Sequence, residues 1–328
     1  MKEVKVSGSY FEMGEMFGKT LSPWLREFKP KEINLDFAVK CVDAIEQYAP
    51  DLLEELQGIA KGSGQSYEAL QCAMMTPVYI FGCTLFAVSG EHTAGGSPIY
   101  ARQHDWIMED LVDLHAIHSN PESGHKSVGF SFGDFGRYGG MNEKGLTIAS
   151  AYCTMYTGKI RPGVRMNIST RWALDKFSST EEAAEYLAMI PHTEPVSFLV
   201  LDGSGTIARI EATPEKSQAE FIDEGFGSAI NVFVMDDMKH LDKGLPERHH
   251  TNVYKRRLGD WFEENKGKIT LEDVRRICSD PKQGICQTNE EYSVTIWSWI
   301  AETNPTSMRI APGPPCDVDY KQMDFFHT

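Results

Sequence analysis

The feature that most constrains this chain is a change of hydrophobic period at Gly82 and Cys83. Before it, "SYFEMGEMFGKTLSPWLREF", "INLDFAVKCVDAIEQYAP", "DLLEELQGIAKGSG" and "SYEALQCAMMTPVYI" carry apolar residues at helical spacing, after one short strand, "KEVKVSG". Beyond it, "CTLFAVS", "SPIYARQHD", "LVDLHAIHS", "SVGFSFG" and "LTIASAY" alternate with period two between Gly, Asn, Asp or Pro turns. The helices of the first block have apolar faces that need a sheet as partner, so residues 1–82 are not expected to fold alone.

Two helices follow, "GVRMNISTRWALDKF" and "STEEAAEYLAMI", the second opened by Ser179 or Thr180 with Glu182 in capping-box position. Strands return as "SFLVLDGSG", "TIARIEAT", "AEFID" and "SAINVFV". After the helices "NVYKRRLGDWFEEN" and "TLEDVRRICSD" comes "SVTIWSWIAE", a strand apolar on both faces and hence buried on both. Runs of strands bracketing a helical pair, with helices at both ends, predict antiparallel sheets covered by helices rather than a parallel doubly wound sheet. No GxGxxG or GxxxxGK[ST] follows a strand, and there is no internal repeat.

Composition narrows the function. A chain of 328 residues, 41% of them hydrophobic, can bury a large core. A net charge of -15 disfavours nucleic acid or an anionic membrane as partner. There is no apolar run long enough to span a bilayer, and "MKEVKVSGSYFEMG" lacks the basic-then-apolar order of a secretory signal, so the expected location is cytoplasmic. Seven scattered cysteines with no CxxC encode neither a disulfide framework nor a thiolate zinc site, and most read as small buried hydrophobes. Cys83 differs in context: "YARQHDW" places Arg102 and Asp105 19 and 22 residues beyond it, lengths at which a hairpin returns beside its own start.

Several segments in this order, "GSYFEMGEMFG", "GCT", "YARQHDW", "GGMNEKGLTIASA", "RWALDKFSSTEEAAEYLA", "LVLDGSGTIARIEATP" and "INVF", resemble the N-terminal nucleophile hydrolases of the linear-amide type. The resemblance is to the penicillin acyltransferase-like branch, with the bile-salt hydrolases as more distant relatives, and it covers nearly the whole chain. It implies an α+β fold, a four-layer αββα sandwich with two antiparallel sheets, in one domain spanning 1–328. It also implies autocatalytic cleavage of the Gly82–Cys83 bond into 1–82 and 83–328, after which Cys83 supplies a thiol nucleophile and an α-amine base. Asp105 would then position that amine or thiol, Arg102 would support the carboxylate, and Asn231 would donate to the oxyanion. Gln103 stands where bile-salt hydrolases carry an asparagine.

Trp106, Met155 and Tyr156 are candidate pocket residues for an acyl or aromatic group, in the loops "HDWIMEDLVD" and "CTMYTGKIRPG". His115 and His118 of "HAIH" fall on opposite faces of a strand with no third ligand, so no metal and no other cofactor is expected. "RHHTNVYKRR" reads as the solvated start of a helix, with Arg248 or Arg256 available to an anionic substrate group, and Asn142 reads as a turn residue. The expected function is a self-processing cysteine amidohydrolase or acyltransferase acting on a small amide or acyl substrate through an acyl-Cys83 thioester. The alternatives are an acyl-CoA-dependent N-acyltransferase and an unprocessed, non-catalytic protein on the same fold. Self-association as a homo-oligomer is left open.

Overall fold

In a computed structural model of the chain, residues 1–21, 32–76, 82–106, 114–288 and 293–323 are described. Among the described residues the amino-terminal block holds β1 (Lys2–Gly8) and the helices α1 (Tyr10–Gly18), α2 (Glu32–Tyr48), α3 (Asp51–Ser63) and α4 (Tyr67–Met75). After β1 the next strands are β2 (Cys83–Val88), β3 (Ile99–Trp106), β4 (His115–Pro121), β5 (Ser127–Ser131), β6 (Gly139–Asn142) and β7 (Thr147–Tyr152). The helical pair α5 (Met166–Lys176) and α6 (Thr180–Met189) leads to β8 (Val196–Leu201), β9 (Ile207–Ala212), β10 (Ser217–Phe221) and β11 (Phe226–Ala229). The chain continues through α7 (His250–Asn265), α8 (Leu271–Ser279), β12 (Val294–Thr303), β13 (Thr306–Ala311) and β14 (Lys321–Gln322).

Local chemistry sets several boundaries. Ser9 and Glu12 form a capping box at α1, and Ser179 and Glu182 form the one expected at α6. Ser66 accepts from the Ala69 N–H to open α4. Helices α1 and α3 cross closely: a Cβ on Gly14 would lie 2.0 Å from the Glu55 carbonyl oxygen, and one on Gly58 2.0 Å from that of Phe11.

Among the described residues the strands make two sheets, ordered β1-β4-β5-β6-β7-β8-β9-β10 and β11-β2-β3-β12-β13-β14. Period-two alternation sorts their side chains into layers. Leu85 and Ala87 of β2, Trp297 and Trp299 of β12, and Ala149, Leu199 and Leu201 of the larger sheet pack together between the sheets. Phe86, Val88, Ala101 and Ile300 point the other way, onto Tyr254, Leu258 and Phe262 of α7 and Val274 and Ile277 of α8. Ile148, Val196, Phe198 and Val200 face outward from the larger sheet onto residues of α1 to α6. The result is helix, sheet, sheet, helix, the four-layer α+β sandwich.

One pairing departs from the antiparallel expectation. Strands β1 and β4 run parallel, in register from Lys2 opposite His115 to Gly8 opposite Pro121. The long connection between them, α1 to α4 and then β2 and β3, allows a parallel return that a tight hairpin could not make. Strands β13 and β14 are additions for which the hydrophobic pattern gave no sign. No described helix is long and apolar enough to cross a membrane.

Candidate active site

Cys83 is the first residue of β2 and is buried, in a ladder that pairs Cys83 with His104 and Val88 with Ile99. The ladder continues one bond past it, since the Asp105 N–H donates to the Gly82 carbonyl at 2.9 Å. Gly82 has φ +33, in the left-handed region, and a Cβ there would sit 2.8 Å from the Asp105 Cβ. Only glycine meets both demands, which accounts for the residue before the thiol.

The nitrogen and the sulfur of Cys83 are held separately. Its N–H donates to Asn231 Oδ1 at 2.7 Å, and Asn231 Nδ2 donates to the Tyr152 carbonyl at 2.8 Å, so partners on both sides fix the orientation of the amide. Asn231 lies just beyond the end of β11, and its own carbonyl accepts from the Thr154 N–H. In this arrangement Asn231 holds the Cys83 nitrogen through its oxygen and gives one of its two amide hydrogens to Tyr152.

The sulfur faces Arg102 and His104, which share one face of β3 as residues two apart must. Arg102 Nη2 donates to Sγ at 3.4 Å and approaches His104 Nδ1 at 3.0 Å, while Nη1 donates to the Tyr138 carbonyl. His104 Nδ1 is 3.9 Å from Sγ. The imidazole stacks on Trp297 with centroids 4.8 Å apart, and Trp106 and Phe132 pack around it. Burial pushes the Cys83 thiol pKa up, against a downward pull from Arg102. Burial also pushes His104 well below its ordinary value, and Arg102 adds to that.

Asp105 is on the opposite face. Its Oδ1 accepts from Thr295 Oγ1 at 2.6 Å, and its Oδ2 has no hydrogen-bond partner among the described residues. Burial raises its pKa to about 6, with the Thr295 bond and Arg102 opposing. Arg102 therefore lies on the thiol side of the strand and Asp105 on the Gly82 side, without an ion pair between them. Gln103 shares the Asp105 face and donates to the Cys278 carbonyl at 2.6 Å, tying β3 to the end of α8.

The other candidates scatter. Met155 and Tyr156 follow Thr154 beside Asn231, and Tyr156 packs on Phe233. Of "HDWIMEDLVD", residues 107–113 lie outside the described set. Arg256 donates to the Glu247 carbonyl, Arg248 is exposed, and Asn142 bonds the carbonyls of Leu174 and Phe177 as well as its own turn. His118 approaches Glu3, and among the described residues no group of three or more His, Cys, Asp or Glu is gathered as a metal would need. The contact that sequence reasoning missed is His104 with Cys83. Period two alone puts His104 on the Arg102 face and Asp105 on the other.

A family model described as acyl-coenzyme A:6-aminopenicillanic acid acyl-transferase matches residues 92–316. No curated protein matches the chain by sequence. Among solved structures, a penicillin V acylase from Agrobacterium tumefaciens is 19% identical, with 70% of this chain and 82% of that one covered at a TM-score of 0.49. A conjugated bile acid hydrolase from Clostridium perfringens is 16% identical, covering 75% and 98% at 0.47. An N-acylethanolamine-hydrolyzing acid amidase ortholog from Caenorhabditis elegans is 13% identical, covering 67% and 93% at 0.49.

Proposed function

Since the chain belongs to the acyl-coenzyme A:6-aminopenicillanic acid acyl-transferase family, of the N-terminal nucleophile hydrolase type, we propose that it is a self-processing cysteine amidohydrolase working through an acyl-Cys83 thioester. Membership puts it among enzymes that hydrolyse amides or transfer acyl groups. The observation that carries the finer reading is the state of the Gly82–Cys83 peptide. Its carbonyl accepts from the Asp105 N–H, its nitrogen is gripped by Asn231, and the thiol next to it has a guanidinium at 3.4 Å.

Attack of Sγ on the Gly82 carbonyl forms a C–S bond and places negative charge on an oxygen that already has a backbone donor, the arrangement that lowers acyl-transfer barriers. Collapse breaks the C–N bond, and water releases Gly82 as a carboxylate. The freed α-amine has a reference pKa of roughly 7.7 to 8.0 and acts as general base in later turnovers. With Gly82 gone, a substrate carbonyl takes its place against the Asp105 N–H. Asn231 keeps the amine in position, Arg102 stabilises the thiolate, and the Asp105 carboxylate faces the vacated segment.

The reading takes 1–328 as one domain whose two pieces stay associated. Across the cut, β1 pairs with β4, Tyr10 bonds Asp175 at 3.1 Å, and Arg171 bonds Glu55 at 3.2 Å. Trp106, Met155 and Tyr156 are the side chains this reading assigns to an acyl or aromatic group of a small substrate. Transfer to an amine rather than water is a second reading, favoured by the acyl-transferase description of the matching family.

The test is to incubate the protein with a mixed library of linear N-acyl amides and weigh the adduct. An acyl group on the fragment that begins at Cys83, abolished by prior thiol alkylation and indifferent to EDTA, is expected. Inhibition by the chelator with indifference to alkylation would overturn the cysteine mechanism. Asn231→Ala removes the acceptor that holds the Cys83 nitrogen at 2.7 Å and should lower kcat by about 10²-fold, the scale of a misplaced reacting group.

A further inference from the structure

The proposed base of the mature enzyme does not exist in the uncut chain, where the Cys83 nitrogen is an amide with no lone pair to give. Something else must take the thiol proton the first time, and this inference rests on the self-processing read above. Asp105 points from the other face of β3, with its unpartnered oxygen beside Gly82 rather than beside the sulfur. The Arg102 guanidinium offers only N–H donors and no acceptor. The remaining group in contact with Sγ is the imidazole of His104, with Nδ1 at 3.9 Å.

We propose that His104 Nδ1 is the proton acceptor of the maturation step. The Arg102 N–H directed at Nδ1 makes that nitrogen an acceptor and puts the ring proton on Nε2, which has no partner among the described residues. Trp297 stacks at 4.8 Å and fixes the plane. As Sγ–H breaks and Nδ1–H forms, the Nη2 hydrogen turns from the ring to the thiolate it already approaches at 3.4 Å. The thiolate attacks the Gly82 carbonyl. When the C–N bond breaks, His104 returns the proton to the departing Cys83 nitrogen, which Asn231 Oδ1 holds at 2.7 Å. Solvent water then hydrolyses the thioester, leaving the Gly82 carboxylate, the α-amine and a regenerated thiol. Burial and Arg102 keep the imidazole neutral at rest, so it carries the proton only while the thiolate lies beside it.

The experiment follows conversion of freshly made full-length protein into 1–82 and 83–328 by intact mass against time. His104→Gln, which keeps an acceptor for Arg102 but no basic nitrogen, should mature about 100-fold or more slowly, the lower range for losing a general base. His104→Ala should be equally slow, and added imidazole should speed it several-fold by entering the space between the tryptophans. Cooperative melting identifies the folded variants, and either one suffices. Maturation of a folded variant within a few-fold of wild type, or a folded His104→Ala that imidazole leaves unmoved, overturns the assignment. A wild-type chain that stays whole sinks the self-processing reading instead, so the two failures are distinguishable.

Discussion

Two buried charged clusters in this protein are built to opposite rules. Under the larger sheet, Arg171 of α5 donates through Nε to both Asp175 oxygens at 2.9 and 2.8 Å and through Nη1 to Glu55 of α3, while Tyr10 of α1 bonds Asp175. Burial works against the Arg171 charge, and Asp175 and Glu55 outweigh it, so its pKa ends above the ordinary value. On β3, Arg102 and Asp105 are equally buried but face opposite ways, and among the described residues neither is in an ion pair with an opposite charge. The first cluster neutralises charge to join three helices. The second keeps charge uncompensated and aims it at a thiol and a peptide bond, an arrangement characteristic of sites whose function needs it.

The comparison breaks if equal substitutions have equal effects. Arg171→Met strands two buried carboxylates and should cost about 3 to 5 kcal/mol of stability. Arg102→Met strands no paired carboxylate, so thermal unfolding should move much less, while iodoacetamide alkylation of Cys83 slows by about tenfold or more, as a thiol does when its cationic neighbour is removed. Similar melting temperatures for the two variants would remove the distinction.

Asp105 sharpens it through pH. Its carboxyl binds a proton more tightly folded, with pKa about 6, than at the ordinary value of 3.8. That contribution is therefore complete below about pH 4 and is lost as pH rises through about 6, to a total on the order of 3 kcal/mol. Asp105→Asn should accordingly gain stability relative to wild type above pH 6 and gain nothing below pH 4. Asp175→Asn, which breaks a paired charge, should lose stability at pH 7. Denaturant titrations across pH read both signs. The smallest effect belongs to Gln103→Ala, which leaves the Cys278 carbonyl without its 2.6 Å donor. About 1 to 3 kcal/mol should be lost, with kcat nearly unchanged, because Gln103 anchors α8 and does not reach the thiol.

Much of the architecture was readable because it follows from local chemistry. The change of period at Gly82, the Ser179 capping box and the double-faced "SVTIWSWIAE" all rest on side chains close in the chain. The parallel β1 was not readable, because its partner is chosen by closure over more than a hundred residues. The same holds for the grip of Asn231 on the Cys83 nitrogen, which spans 148 positions. The opposed faces of Arg102 and Asp105, and the presence of His104 with the former, were available from strand parity. A contiguous motif such as "RQHD" hides this, because its successive side chains lie on alternate faces of the strand.

If Cys83 is a nucleophile exposed by cleavage of its own amino-terminal peptide bond, the intact mass of the purified protein beside Cys83→Ala will show it. Wild type should resolve into 1–82 and 83–328 under denaturing conditions while eluting as one species natively, and Cys83→Ala should remain a single chain of 328 residues. Cleavage at the same bond in Cys83→Ala, or an active wild type that is never cut, would contradict the account.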